Sequence, residues 1–466
     1  MASPGLGRRA ADWLDERLEV RRLSRSFFER RIPSGVGWIH TLGSATLFLL
    51  LVQILTGTFL AFYYVPSVEH AYGSTRYITE TLPLGWFVRG LHRWGASLAI
   101  IVLFLHLVRV FFMGAYKYPR ELTWVAGVLL LVVAFAFGFT GYLLPLDQKA
   151  YWASVVGLHI AETAPVVGEY VALILRGGVE VGNQTLSRFY ASHVLILPGM
   201  LIVLAAIHVA MVVKQGISAP PWGKTARMSK EDYRRVYEES KGAGGRFYEH
   251  LIRDAVVSFG LLLLLYYLAV RYGAPLEERA DPATVTYVPR PEWYFYFLFE
   301  LLWLFPGKWT VVATFYIPAL AVVLLLLLPF IDRGPARSPV LRPLTSGVGA
   351  AVLAGMAVLT YQGMTAPPPP GREETAKVTE GGKPPAPAPG AAVYARLGCA
   401  ACHAIQGKGG AAGPDLSKAG AKRDAEWLKR FIRNPKEVNA ASVMPGYANV
   451  PAEDLEAMAR YLAELR

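Results

Sequence analysis

His92 and His106 stand fourteen positions apart in one long apolar stretch, and His193 and His208 stand fifteen apart in another. An ionisable side chain inside an apolar span is expensive and marks a functional site by default. On a helix, fourteen residues climb about 21 Å and return to within about 40° of the starting face; fifteen climb about 22 Å and end roughly 60° off in the other sense. Two such helices side by side could clamp two stacked planar cofactors, one near each membrane face, with one imidazole from each helix on each metal. Haem iron accepts axial histidine, so the four residues read as a transmembrane wire of two non-covalent, bis-histidine haems b. His40, His70, His159 and His250 lack this spacing and read as ordinary histidines of a core or headgroup level.

The only two cysteines, Cys399 and Cys402, fall in Cys399-Ala400-Ala401-Cys402-His403. This Cys-x-x-Cys-His pattern is the attachment motif of a covalent haem c. Two thiols form thioethers to the vinyl groups, and the next histidine turns back to the iron. Zinc would want further ligands, and a disulfide framework is excluded by the count. Met444, in Val443-Met444-Pro445-Gly446-Tyr447, is the natural sixth ligand. A histidine/methionine pair raises the haem potential. Met458 is the rival, but it belongs to the helical pattern Leu455, Met458, Leu462 and reads as core.

The elements that must position these groups are helices in a membrane. The 466 residues are 53% hydrophobic, too apolar for a soluble chain of this length. Stretches long enough to cross hydrocarbon, about 20 residues, occur near 38–64, 85–113, 122–143, 190–213, 252–270, 309–331 and 343–362. The expected fold is therefore all-α: a polytopic bundle of about seven spans with a four-helix haem-binding core, followed by a small helical domain. The net charge of +12 is placed in loops, which argues for membrane orientation and against nucleic acid as a partner. Arg8, Arg9, Arg17, Arg21, Arg22, Arg25, Arg30 and Arg31 precede the first span, and Lys214, Lys224, Arg227, Lys230, Arg234, Arg235, Lys241 and Arg246 follow the fourth. Both segments belong inside under the positive-inside rule. The first 36 residues, with no early apolar core, are not expected to be a cleaved signal. Seven spans then put the C-terminal domain outside, where haem c is attached. A Pro-rich tether, 364–390, separates the two parts.

Three runs extend the reading to a family: Pro119-Arg120-Glu121-Leu122-Thr123-Trp124, Gly141-Tyr142-Leu143-Leu144-Pro145-Leu146-Asp147-Gln148 and Lys214-Gln215-Gly216-Ile217-Ser218. With them, residues 24 to about 362 resemble cytochrome b of the bc1/b6f family, on the b6f side, with cytochrome b6 and subunit IV in one chain. Residues 391–466 resemble a class I cytochrome c. The implied organisation is a cytoplasmic segment 1–36, a bis-haem domain 37–218, a cytoplasmic loop 219–251, a subunit IV-like domain 252–363, the linker 364–390 and the cytochrome c domain. Gly43 and Gly57 on the first helix, and Gly127 and Gly141 on the third, repeat the fourteen-residue spacing and suggest close haem approach. Helix packing by small residues is the alternative. His92 pairs with His193 near the outer face and His106 with His208 near the inner face. Arg89, one turn before His92, suits a haem propionate or an interface. The resemblance assigns Pro291-Glu292-Trp293-Tyr294 to the quinol-oxidation site. There Glu292 is a suitable proton acceptor and Tyr294 helps position the ring. Residues 141–156 should form the other wall, with Tyr142 and Tyr151 lining it. Arg253-Asp254 falls where the family reduces quinone, Asp254 supplying protons, although an interfacial charge pair is equally consistent. The family's extra covalent haem has no cysteine here; the matching position is about Thr41.

The resemblance implies the catalytic cytochrome b and c subunit of a quinol:cytochrome c oxidoreductase in a bacterial plasma membrane, generating a proton gradient. It also implies a separate Rieske iron–sulfur protein, since a Rieske centre needs two cysteines and two histidines and this chain has none to spare. A soluble or membrane-bound c-type acceptor and a homodimeric complex complete the expectation. The alternative is a haem-bearing anchor of a membrane dehydrogenase, without bifurcation of electrons.

Overall fold

The computed structural model describes residues 6–465 except 179–180, 283–286, 288–289, 367–389, 398, 400–402, 407, 410–412, 440–441, 443, 445 and 448–449. The fold is all-α: among the described residues the strands are the two-residue pair Ala404–Ile405 and Lys408–Gly409. Seven helices are long and apolar enough to cross a membrane: Trp38–Ala61, Gly85–Phe112, Glu121–Tyr142, Asn183–Gln215, Phe247–Tyr272, Val312–Ile331 and Pro343–Thr365. At most 33% of any apolar window is buried within the chain, and apolar helical surface left outside a fold of this size is what lipid covers. The expected spans are present, but the fourth and fifth helices begin earlier than 190 and 252. Hydropathy marks where hydrocarbon ends, and polar residues such as Asn183, Gln184, Glu249 and His250 continue the same helices beyond it.

The chain divides into two compact units, the first comprising Met1–Gly141, Phe189–Leu276 and Ala319–Gly355. In it the first and second spans pack along their lengths and the fifth lies against both. Ala45, Leu49, Ala99, Val102 and Leu265 form that seam; the small residues let backbones approach where no hydrophobic force separates helix from lipid. Val133 of the third span packs on Leu197 and Leu201 of the fourth, and Trp124 Nε1 donates to the Leu325 carbonyl of the sixth at 2.6 Å. Beyond the spans, Asp332 accepts hydrogen bonds from Tyr116 Oη and Lys117 Nζ at 2.6 Å and from the Arg342 guanidinium at 3.0 Å. Arg342 also reaches the Phe111 and Phe112 carbonyls, so this network staples the end of the second span to the segment between the sixth and seventh.

The second unit comprises Tyr142–Arg188, Glu277–Pro318 and Met356–Arg466. Helices Gln148–Glu162 and Gly168–Arg176 form a hairpin. Asp147 starts the first of them, its carboxylate accepting the Ala150 N–H at 2.9 Å, a cap worth about 1 kcal/mol. Toward the C-terminus, helices Gly390–Arg396 and Ala425–Arg433 pack on Ala452–Glu464, burying Val393, Leu428, Leu455 and Met458 in one core.

Candidate metal centres and substrate loop

His92 and His193 face each other with ring centroids 6.4 Å apart and planes at 73°. Two imidazoles on opposite sides of one ion, with bonds of about 2.0 Å, have centroids about 6 Å apart. The spacing fits a shared metal. Two threonines fix which nitrogen is free. Thr56 Oγ1 donates to the Val52 carbonyl at 2.7 Å, so it accepts from His92 Nδ1, 2.9 Å away. Thr140 Oγ1 donates to the Ala136 carbonyl at 2.8 Å and accepts from His193 Nδ1 at 3.1 Å. With the proton on Nδ1, each Nε2 presents the lone pair that ligates a metal, and a hydrogen-bonded Nδ1 holds the ring in orientation.

The second pair is built alike but without that lock. His106 lies within electrostatic reach of His208. The residues before the facing glycines are Leu42 and Ala126, where the first pair has Thr56 and Thr140. His208 sits beside the Thr123 backbone, its Nδ1 outside hydrogen-bond geometry.

A π turn explains how spacings of fourteen and fifteen can match. His193 lies in the turn Ser192–Ile196, where the Leu197 N–H bonds back to the Ser192 carbonyl, five residues before. Pro198 follows, and a proline ring crowds the carbonyl four residues back; the wider turn relieves that clash. A single π turn takes up one extra residue, so fifteen positions on the fourth span cover the helical register of fourteen on the second.

All four glycines meet the imidazoles. A Cβ on Gly57 would lie 3.0 Å from His92 Cε1, on Gly141 2.6 Å from His193, on Gly43 3.2 Å from His106 and on Gly127 3.4 Å from His208. A side chain at any of the four positions would therefore press on an imidazole ring. Arg89 is buried and donates to Thr79 Oγ1 at 3.1 Å and to the Ala274 carbonyl, so part of its guanidinium already holds the chain that leaves the fifth span.

At the other end of these spans, Asp254 Oδ1 accepts from Ser44 Oγ at 2.6 Å and lies 3.6 Å from His250 Nε2, while Arg253 donates to the Val36 carbonyl at 2.8 Å. His40 Nδ1 accepts the Gly37 N–H at 3.2 Å, which leaves the proton on Nε2. His40 Nε2, His250 Nδ1 and Arg109 Nε are all buried with no hydrogen-bond partner among the described residues. Buried polar groups are normally satisfied, so these three nitrogens mark a polar cluster at this end of the spans. Nothing in the spacing could have found them, because the first and fifth spans bring them together only in the fold. His70 and His159 are exposed, bonded to Ser67 at 3.0 Å and Glu162 at 2.8 Å.

In the second unit, residues 143–148 are zipped to 277–280. Asp147 accepts the Glu277 N–H at 3.2 Å, Gln148 N–H donates to the Glu278 carbonyl at 2.9 Å and Ala280 N–H to Leu146 at 3.1 Å. Pro291 is buried, and Glu292 leads in extended backbone into the turn Trp293–Phe295. Tyr294 is buried against Trp293 and Phe295, with ring centroids 5.5 and 4.9 Å away. Lys149 Nζ donates to Glu292 Oε1 at 2.7 Å, a partner that directly follows Asp147-Gln148 in the chain but that no motif or spacing announces. Tyr142 donates to the Ala153 carbonyl at 3.2 Å, stacks edge-on with Phe295 at 6.4 Å and lies within electrostatic reach of Glu292. Tyr151 is on the helix that carries Lys149, its ring 5.2 Å from Trp152.

In the C-terminal helices, His403 Nδ1 donates to the Pro414 carbonyl at 2.8 Å, again leaving Nε2 for a metal. A Cβ on Gly413 would lie 2.5 Å from His403 Cε1. Cys399 is buried; Cys402 lies outside the described residues. Met444 is half-buried against the domain core, whereas Met458 is 1% exposed within it, its sulfur 3.9 Å from Cys399 Sγ. Among the described residues no three His, Cys, Asp or Glu side chains converge as a metal cage.

Three family models match: cytochrome b/b6/petB over residues 27–216, cytochrome b(C-terminal)/b6/petD over 279–375, and cytochrome c over 387–466. The menaquinol:cytochrome c reductase cytochrome b subunits of Geobacillus thermodenitrificans and Bacillus subtilis are each 46% identical over 217 residues, 45% of this chain and 97% of theirs. Cytochrome b6 of Mastigocladus laminosus is 43% identical over 209 residues, covering 45% of this chain and 97% of its own. A solved structure, a hyperthermophilic respiratory Complex III, is 29% identical with a TM-score of 0.66, over 79% of this chain and 94% of that one. The chain belongs to the cytochrome b/b6 family, with both halves of cytochrome b in one polypeptide and a cytochrome c domain at its C-terminal end.

Proposed function

We propose that this chain is the cytochrome b and c subunit of a quinol:cytochrome c oxidoreductase. The observation that carries the proposal is the threonine-locked pair His92/His193, with a second histidine pair, His106 and His208, on the same helices and without the threonines. His92, His193, His106 and His208 would hold two haems b, and Cys399, Cys402, His403 and Met444 one haem c. When bound, these groups supply one-electron relays at potentials set by their ligands. The rest of the chemistry falls to the protein. Oxidising a quinol releases two protons, and Glu292 is the base: Lys149 engages Oε1 and leaves the second oxygen for a quinol hydroxyl. Tyr142 and Tyr294 supply aromatic walls, with Tyr151 on the neighbouring helix.

The buried, unpartnered nitrogens of His40, His250 and Arg109 suit a ligand that brings acceptors, such as the carbonyls of a quinone awaiting reduction, with Asp254 as proton donor. Arg89, one turn before His92, would be the partner of a haem propionate. The basic segments before the first span and after the fourth put the N-terminus in the cytoplasm and the c domain outside, so that turnover releases protons outside and takes them up inside. A Rieske iron–sulfur partner, a c-type acceptor and a homodimeric complex belong to the same reading. The names of the Geobacillus and Bacillus relatives make menaquinol the first substrate to try. Glu292→Gln should abolish most quinol oxidation while the b-haem spectra persist; wild-type turnover in that variant would remove Glu292 from the role.

A further inference from the structure

A cavity of about 490 Å³ opens where the segment before the first span meets the end of the fourth. Four cationic side chains line it, Arg30, Arg31, Lys214 and Lys241, against one carboxylate, Glu238. That carboxylate is already committed to Lys241, 2.9 Å away. The other three cations have donors to spare. Arg31 uses one nitrogen on the Gly242 carbonyl at 2.8 Å. Arg30 makes one long contact to the Val213 carbonyl at 3.4 Å, and its guanidinium stacks over Phe247 at 3.9 Å and Phe27 at 4.7 Å. Stacking fixes the plane and leaves its edge for an oxyanion, the geometry that suits arginine to phosphate. Lys214 has no hydrogen bond or ion pair among the described residues.

One wall is apolar and continues into the fourth span, whose Ile202, Val209 and Val213 are exposed along one helical face. A charged pocket that passes without a break onto a lipid-facing stripe matches an amphiphile with an anionic head and acyl chains. It offers nothing to a soluble phosphate beyond the head. Basic pockets of this kind at membrane level bind anionic phospholipid headgroups.

We propose that this cavity is a binding site for one anionic phospholipid, the phosphate held by Arg30, Arg31 and Lys214 and the acyl chains lying along the exposed face of the fourth span. A lipid seated there would tie the segment before the first span to the helix that carries His193 and His208.

The test uses the purified complex, stripped of lipid with detergent. Phosphatidylglycerol, phosphatidylcholine or inorganic phosphate is added, and thermal unfolding is followed by b-haem absorbance. Phosphatidylglycerol should give a saturable rise in Tm that phosphatidylcholine and inorganic phosphate do not. Removing two cations in Arg31→Gln/Lys214→Gln should weaken the response about 30-fold in lipid concentration. Lys224→Gln, which neutralises an exposed lysine outside the cavity, should respond as wild type. An equal rise with phosphatidylcholine, a response reproduced by inorganic phosphate alone, or an unchanged response in the double variant would each overturn the proposal. If the double variant does not assemble, native mass spectrometry of the wild-type complex decides: a retained phosphatidylglycerol supports the site, and adducts indifferent to headgroup charge reject it.

Discussion

Gly141→Ala and Gly127→Ala make the same chemical change on one helix, yet the structure gives them opposite outcomes. The added methyl at 141 falls 2.6 Å from His193 Cε1, about 1 Å inside the carbon–carbon optimum of roughly 3.5–4.0 Å. The ring has little freedom to retreat. Its Nδ1 is bonded to Thr140 at 3.1 Å and its edge packs on Phe137, with centroids 5.3 Å apart. Overpacking of this degree costs about 1–3 kcal/mol, while replacing a helical glycine by alanine returns up to about 1 kcal/mol. The net loss of about 1–2 kcal/mol corresponds to roughly 5- to 30-fold weaker retention of the haem on His92 and His193. At 127 the methyl sits 3.4 Å from His208, near ordinary contact, so the helix gain dominates and the variant should be neutral or slightly stabilised. Gly57→Ala and Gly43→Ala, at 3.0 and 3.2 Å, should fall between them in that order. Haem content and redox titration of detergent-washed membranes separate the cases. Equal loss of b haem in both third-span variants, or full retention in Gly141→Ala, would refute the argument.

Other consequences follow from the same geometry. Thr56→Val and Thr140→Val should lower haem affinity of the His92/His193 pair about 10- to 100-fold and leave the other pair unaffected, as read by two resolved b-haem potentials. Met444→Ala should lower the c-haem potential without unfolding the domain, whereas Met458→Ala removes a fully buried side chain and should cost about 2–5 kcal/mol; calorimetry and a potentiometric titration distinguish them. His40→Phe or His250→Phe should leave quinol-driven reduction of the b haems intact and slow their reoxidation by added quinone; unaltered reoxidation would exclude these residues from the inner site.

Asp332→Asn should cost about 3 kcal/mol, the low end for breaking a buried ion pair, seen as a lower unfolding temperature. Burial alone would raise the Asp332 carboxyl, but hydrogen bonds from Lys117, Tyr116 and Arg342 outweigh it and hold the carboxyl below its ordinary range. A depressed carboxyl contributes stability above its unfolded value and loses it as pH falls through the folded one. Acidification should therefore destabilise wild type more than Asp332→Asn.

The seven spans and the facing of His92 and His193 were legible because both are written in helical period and apolar length, which depend on neighbours along one chain. Gly43, Gly57, Gly127 and Gly141 could be picked out for the same reason, though only the fold shows that they meet imidazole rings. The fifteen-residue spacing of His193 and His208 can be read from the sequence, but that it covers the register of fourteen depends on the π turn before Pro198, which takes up the extra residue. What the sequence hid was tertiary. Thr56 and Thr140 look like ordinary span threonines, and their role appears only when the third and fourth, and the first and second, spans are paired. Lys149 meets Glu292 across 143 positions. The clustering of His40, His250 and Arg109 is a property of packing, which periodicity does not report.

The most direct test of the central claim is a potentiometric titration of the purified complex, with pyridine haemochromogen analysis of its haem content. Two b-type waves and one c-type wave per chain are predicted, with His92→Ala abolishing one b wave and sparing the other two. A single b wave in the wild type, or a His92→Ala variant that retains both, would contradict the account.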